Sequence, residues 1–362
     1  MSDLLYSEIE TDLRAGVREL LDDKAPWTSV LAGTEKDEPY DAELWRAVAV
    51  QLGCAGLPVP EDLGGAGATW RETAVVMEEL GRSAAPVPFL TSAVIATAAL
   101  LAAGERDLLA RLAAGDGIAV LAVPFSTGPF SAGADGATAA VRAADGTLSG
   151  EVASVADGMA ADVLLVPAAG GLYAVDAAEA RRTPVTSLDM TRRLADIALS
   201  GAPARRVAEG DGAVRAALLT GAAMLASEQL GLAERCLDDT VAYVKTRYQF
   251  GRPVGSYQGL KHRLADLWTS VTQARAVARH AASCAAAGDG DTPIAVAVAQ
   301  AHCSAVALKA AEECVQMHGG IGFTWEHPAH LYLKRAKADS IALGTPGHHR
   351  AALAALVDLP PA

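Results

Sequence analysis

The sequence predicts an α+β protein, mostly α, with an N-terminal helical domain over 1–115, a small central β domain over 116–208 and a C-terminal four-helix bundle over 209–362. Three observations predict it. Apolar residues recur every three to four positions through the first third of the chain, the spacing that lines one face of a helix. The pattern then shortens to brief apolar runs divided by turn residues. Beyond Asp211 the helical period returns and lasts to the end, in long segments with alanine and leucine at the inner positions.

Leu13, Val17, Leu20 and Leu21 are among the apolar residues sharing one side of a helix over 4–24. A polar segment, 28–40, interrupts the period, and a second helix over 43–52 stops at Gly53. The stretch 56–67 is rich in glycine and proline and could pass for a phosphate loop. No Lys-Ser/Thr follows it and no strand-to-helix unit surrounds it, so it reads as a structural turn. Helices follow at 70–81, 90–103 and 105–113. Strands are predicted at 118–123, 138–142, 147–152, 163–167 and 172–176, with Asp145-Gly146 as a hairpin signal between two of them. The bundle helices are 211–250, 256–287, 293–315 and 328–341.

With 43 acidic against 30 basic residues, the net charge of −13 argues against a nucleic-acid partner, which needs a basic face. The start of the chain is acidic and amphipathic and lacks a signal-peptide pattern. No apolar run reads as both long and uncharged enough to span a bilayer. Cys54, Cys236, Cys284, Cys303 and Cys314 have neither CxxC nor paired spacing, so they read as reduced and buried, with no metal site. His348-His349 lacks a third ligand at helical spacing. The expected location is the cytoplasm.

Two stretches carry chemistry. In the first, a helix reaches Val315, followed by Gln316, His318 and the turn Gly319-Gly320-Ile321-Gly322, then a helix opened by Pro328 that bears Lys334, Arg335 and Lys337 and ends near Gly344-Thr345. Glycines at a helix end let backbone N–H groups approach a ligand, and such groups suit phosphate oxygens. In the second, Arg247, Gln249, Phe250 and Gly251 end a helix. Arginine suits pyrophosphate because its planar fork donates two parallel charge-assisted bonds. Taken alone, Arg247 and the basic helix read as solvated charges.

Together, Arg247-Tyr248-Gln249-Phe250-Gly251, Gln316-Met317-His318-Gly319-Gly320-Ile321-Gly322 and Leu343-Gly344-Thr345 resemble, in order and spacing, the pattern of the acyl-CoA dehydrogenase family. The resemblance implies FAD as cofactor, an acyl-CoA thioester as substrate, and electron-transfer flavoprotein or a similar acceptor as redox partner. It implies that Arg247, Gln249, Phe250, Gln316, Gly319, Gly320 and Thr345 contact the cofactor. In the family, the Arg and Gln segments reach across a dimer interface to a neighbour's FAD.

The family removes an α-proton with a glutamate while the β-hydrogen leaves as hydride to the flavin. That glutamate occupies one of two positions, which here are Leu343 and Gly221. Glu228, two turns past Gly221, is the nearby carboxylate on about the same face. The family's flavin-ring segments correspond here to 124–136 and to Ser154-Val155-Ala156, which lack its ring-packing groups. The chain therefore resembles the subunit without the base in heteromeric actinobacterial members acting on steroid side chains. A homologous partner subunit, with a heterotetramer as the assembly, is expected. The alternatives are a homomeric dehydrogenase with a relocated base and a non-enzymatic scaffold of the same fold.

Overall fold

The computed structural model describes residues 4–131 and 140–359. The first region is helical. It contains α1 (Glu8–Lys24), α2 (Trp27–Thr34), α3 (Ala42–Arg46), α4 (Trp70–Ser83), α5 (Thr97–Ala103) and α6 (Arg106–Ala113). The second helix overlaps the polar segment 28–40 that interrupts the period; Val30 gives it one buried anchor, too little to set a period. π-Helical turns, Ala47–Gln51 and Phe89–Ala96, continue α3 and precede α5. Capping boxes at Ser7/Glu10 and Thr69/Glu72 start α1 and α4. The glycine-rich stretch is folded on itself: a Cβ on Gly65 would sit 2.0 Å from the Val59 carbonyl oxygen.

Two four-stranded sheets follow. One has the order β1 (Ala119–Leu121), β4 (Val163–Ala168), β5 (Gly171–Asp176), β8 (Arg205–Glu209); β1 and β4 are parallel and the rest antiparallel. The other, wholly antiparallel, has the order β2 (Val141–Ala144), β3 (Thr147–Ala156), β7 (Leu194–Pro203), β6 (Ala180–Val185). Asp145 and Gly146 both take positive φ, 49° and 76°, as the tight hairpin between β2 and β3 requires. Residues 138 and 139 of the expected strand 138–142 lie outside the described residues. The strands missed from sequence include β6 and β8, polar edge strands whose charged residues hide the period.

The bundle comprises α7 (Gly212–Thr246), α8 (Gln258–Ala287), α9 (Thr292–His318) and α10 (Ala329–Asp339), with a further helix, α11 (Pro346–Leu356), not expected from sequence. α7 packs on α4 through reciprocal glycines. A Cβ on Gly231 would lie 1.8 Å from Glu78 O, and one on Gly81 would lie 2.1 Å from Glu228 O. α7 and α9 run side by side in the same direction: Gln300 Nε2 donates to Ala222 O near one end (2.6 Å) and Tyr243 Oη to His318 O at the other (3.3 Å). Contrary to the sequence reading, two helical stretches, Gly212–Thr246 and Thr292–Phe323, are long and apolar enough by length and composition to cross a membrane. Here they are core helices, 83% and 61% buried over their most apolar windows. All five cysteines are free and buried.

Candidate functional site

Gly221 on α7 and Leu343, just before α11, meet across one apolar junction. A Cβ on Gly221 would lie 2.7 Å from Ile95 Cγ1 and 3.3 Å from Leu343 Cδ1. The cavity left beside them, lined by Thr91, Ile95, Phe125, Ala156, Leu218 and Leu343 among others, measures about 20 Å³ and has no carboxylate in its lining. That is room for about one water and not for a thioester.

Leu343 is fixed by its backbone. It takes φ 51° and Gly344 takes φ 101°. The Leu343 N–H donates to Phe125 O (2.8 Å), and the Phe125 N–H donates to Ser154 O (3.0 Å). His349 Nε2 lies 2.9 Å from Leu343 O. Burial lowers the His349 pKa to about 4, so the ring is neutral and carries its proton on Nε2 to donate to that carbonyl. The strap 124–131 is thus stitched between β3 and the turn that enters α11. On one side lies a cleft of about 770 Å³, lined by Phe130, Val214, Leu218 and Leu356 among others. On the other lies a cavity of about 270 Å³, lined by Ser154, Leu188, Arg192 and Ile341 among others. Ser126 borders both, with Phe125 and Leu343 beside the crossing. Residues 132–136 of the segment compared with the family's flavin contacts lie outside the described residues. Thr345 caps α11, its side chain accepting from the His348 N–H (3.2 Å).

The remaining sequence-predicted residues gather elsewhere. Arg247 closes α7, and Gln316, Gly319 and Gly320 close α9; all four are exposed. The Tyr243–His318 bond joins these two helix ends. Arg247 forms no ion pair with any described residue. A Cβ on Gly319 or Gly320 would meet nothing within 4 Å, so the turn stands open to an approaching group. Open backbone with an uncommitted guanidinium beside it fits a phosphate of the implied cofactor. Just beyond, a two-residue hairpin joins β9 (Tyr248–Gln249) to β10 (Arg252–Pro253). Its tip, Phe250-Gly251, has φ 52° and 77°, and Phe250 is 92% exposed. Tyr257 braces it, donating to Gln249 O (3.3 Å) and stacking under Arg252 (3.8 Å to the ring centroid). Gly221 and Arg247 are about 39 Å apart along α7 at 1.5 Å per residue. One chain therefore presents two groups of site residues, with Leu343, Gly221 and Thr345 in one and Arg247, Gln249, Phe250, Gln316, Gly319 and Gly320 in the other.

Glu228 belongs to neither group. Its carboxylate receives Arg192 Nη2 (2.6 and 2.9 Å) and Arg335 Nη1 (2.8 Å). Burial alone would raise its pKa, but the two guanidiniums outweigh burial and hold it below the usual range. Arg335 also departs from expectation. Read as part of a solvated basic face, it is 2% exposed, pairs ionically with Asp189 (2.9 Å) and donates to Thr191 Oγ1 (2.7 Å) and Ala85 O (3.2 Å). The traces of this cluster in sequence were slight: Asp189-x-Thr191-Arg192 between strands, and Arg335 and Asp339 one helical turn apart.

Comparison with known proteins agrees with this architecture. Residues 7–116 match the model for the acyl-CoA dehydrogenase N-terminal domain, and residues 208–357 match that for the C-terminal domain. The acyl-CoA dehydrogenase IpdE2 of Mycobacterium tuberculosis is 38% identical over 336 residues, covering 92% of each chain. Among solved structures, the Tcur3481-Tcur3483 steroid ACAD G363A variant superposes with a TM-score of 0.86 at 31% identity, covering 97% of this chain and 98% of that one. The ChsE4-ChsE5 complex from Mycobacterium tuberculosis gives 0.87 at 28% identity over all of both chains. Two domain models in family order, and a relative aligned over nearly the whole length, place this chain in the acyl-CoA dehydrogenase family of FAD-dependent flavoproteins.

Proposed function

We propose that the chain is the subunit without the base in a heteromeric FAD-dependent acyl-CoA dehydrogenase, completing a homologous partner's cofactor site while its own site is degenerate. The observation that carries this reading is the junction of Gly221, Ile95 and Leu343. Both positions that could hold the family's glutamate touch there, and neither can accept a proton. A general base is worth roughly 10²–10⁴ in rate. Glu228 does not replace it, because its oxygens are committed to two buried arginines. Supporting the second half of the reading, Arg247, Gln316, Gly319 and Gly320 are exposed at the far end of α7 from Leu343. There they would hold the phosphates of a neighbour's FAD, whose flavin accepts the hydride. Both solved relatives described above are named as pairs of proteins, Tcur3481-Tcur3483 and the ChsE4-ChsE5 complex.

The test compares the chain alone with the chain co-expressed with a homologue that retains the glutamate. Oxidation of an acyl-CoA with an artificial electron acceptor is expected from the pair only. Glu→Gln in the partner is expected to cost on the order of 10²-fold or more in turnover. Glu228→Gln here should leave turnover per bound flavin within about tenfold, since no base is lost. A flavin-loaded lone chain that turns over, and stops with Glu228→Gln, would establish the homomeric reading instead.

A further inference from the structure

The ion cluster around Glu228 joins all three parts of the molecule. Arg192 and Asp189 lie in the loop between β6 and β7, Glu228 on α7, Arg335 and Asp339 on α10, and Asp157 just past β3. The N-terminal region contributes Thr91, whose hydroxyl donates to Asp157 Oδ2 (2.7 Å), and the Ala85 carbonyl, which accepts from Arg335. Arg192 bonds Asp339 (3.0 Å) as well as Glu228. Every one of these six charged side chains is at most 6% exposed.

The charges do not balance. Two guanidiniums face four carboxyl groups, and buried net charge is costly. Glu228 takes both arginines and Asp189 takes Arg335. That leaves Asp339 with one bond from Arg192 and an Oδ2 that has neither a hydrogen bond nor an ion pair among the described residues, and Asp157 with a neutral hydroxyl. The groups facing Asp339 are Glu228 from α7, Asp189 and Arg192 from the β6–β7 loop, and Arg335 from its own helix. Those facing Asp157 are Thr91, Arg192, Arg335 and Asp189.

We propose that this three-way junction stores a proton, held first on Asp339 and second on Asp157, and that losing it loosens the β domain from the bundle. Burial, and then the charge of Glu228, push Asp339 well above the ordinary carboxyl range. Burial pushes Asp157 up to about 6, against the pull of Arg192. An acid whose pKa is raised in the fold favours the protonated native state. Its ionisation therefore costs stability progressively as pH rises from the unfolded pKa through the folded one. The 270 Å³ cavity is lined by Asp189 and Arg192, so it borders the same cluster.

The experiment measures thermal midpoints of the full chain from pH 5 to pH 9 for the wild type, Asp339→Asn, Asp157→Asn and the exposed control Asp116→Asn. Wild type should lose stability as pH rises. Asp339→Asn should flatten that slope and exceed wild type at pH 8 by roughly 2–4 °C or more in thermal midpoint. Asp157→Asn should do the same over the lower part of the range, and it carries the test if Asp339→Asn does not fold. Infrared spectra of the wild type should contain a protonated-carboxyl band that weakens in Asp339→Asn at pH 7 and in Asp157→Asn at pH 5. Parallel pH profiles for wild type and the folded variants, a folded Asn variant less stable than wild type at pH 8, or no protonated-carboxyl band would overturn the proposal.

Discussion

Arg247 and Gly320 act, on the present reading, without supporting the fold. Arg247 has no ion pair among the described residues, and a methyl on Gly320 meets open space. Arg247→Ala should therefore leave circular dichroism and thermal midpoint unchanged, while removing a charge-assisted contact worth roughly 1.5–3 kcal/mol. Flavin dissociation from the two-chain complex should rise about tenfold or more. Gly320→Ala should act in the same direction, because a Cβ there keeps a phosphate away from the backbone. Flavin retention identical to wild type in both variants would return these residues to plain surface positions. Leu343 is the opposite kind of residue. Its side chain fills the junction with Ile95, and its backbone anchors the strap and His349.

At the scale of an element, the β9–β10 hairpin contains a local contradiction. Its tip needs two residues of positive φ, for which Asn-Gly is the preferred pair. Phenylalanine stands at the first of these positions, with φ 52°, and is almost wholly exposed. Bulky residues held in this region cost about 1–3 kcal/mol, and an exposed ring recovers none of that within the chain. Phe250→Asn should raise the stability of the lone chain by up to about 1 kcal/mol, read as a shift in urea midpoint. It should weaken association with the homologous partner, read by analytical ultracentrifugation of the mixture. Stronger or unchanged association would mean that the ring is not a contact. The exposed Phe323 and Trp325, in the stretch between α9 and α10, offer further apolar area for such a partner.

For the whole molecule, Arg335 is the joint. It is among the largest fully buried side chains and reaches the β6–β7 loop, α7 and the end of α4 at once. Arg335→Met should leave Asp189 and Glu228 short of a cation and cost about 3–5 kcal/mol, the scale of a broken buried pair. Arg335→Lys should rescue little of this, because a single ammonium cannot span the same fork of partners. Denaturant unfolding reads both, and full stability in Arg335→Lys would mean that charge alone suffices.

Much of this protein is written in local sequence. The helical period fixed α1, α4 and the long bundle helices because one-sided burial imposes a period of 3.6 residues. Asp145-Gly146 marked its hairpin because few residues accept positive φ there. The two family segments were legible as motifs, as was the absence of glutamate at 221 and 343. Other features depended on contacts made far along the chain. The edge strands β6 and β8 exist because β7 and β5 pair with them, not because their own charged residues favour it. Arg335 looks like a surface charge until Asp189, more than a hundred residues earlier, is folded against it. Gly221 and Leu343 are two separate positions in sequence and one closed junction in space, because Ile95 and Leu343 both close on the space beside Gly221. Residue type and spacing set which surfaces can form. Which buried charge meets which partner was decided only by tertiary packing, since desolvation and pairing are properties of the assembled interior.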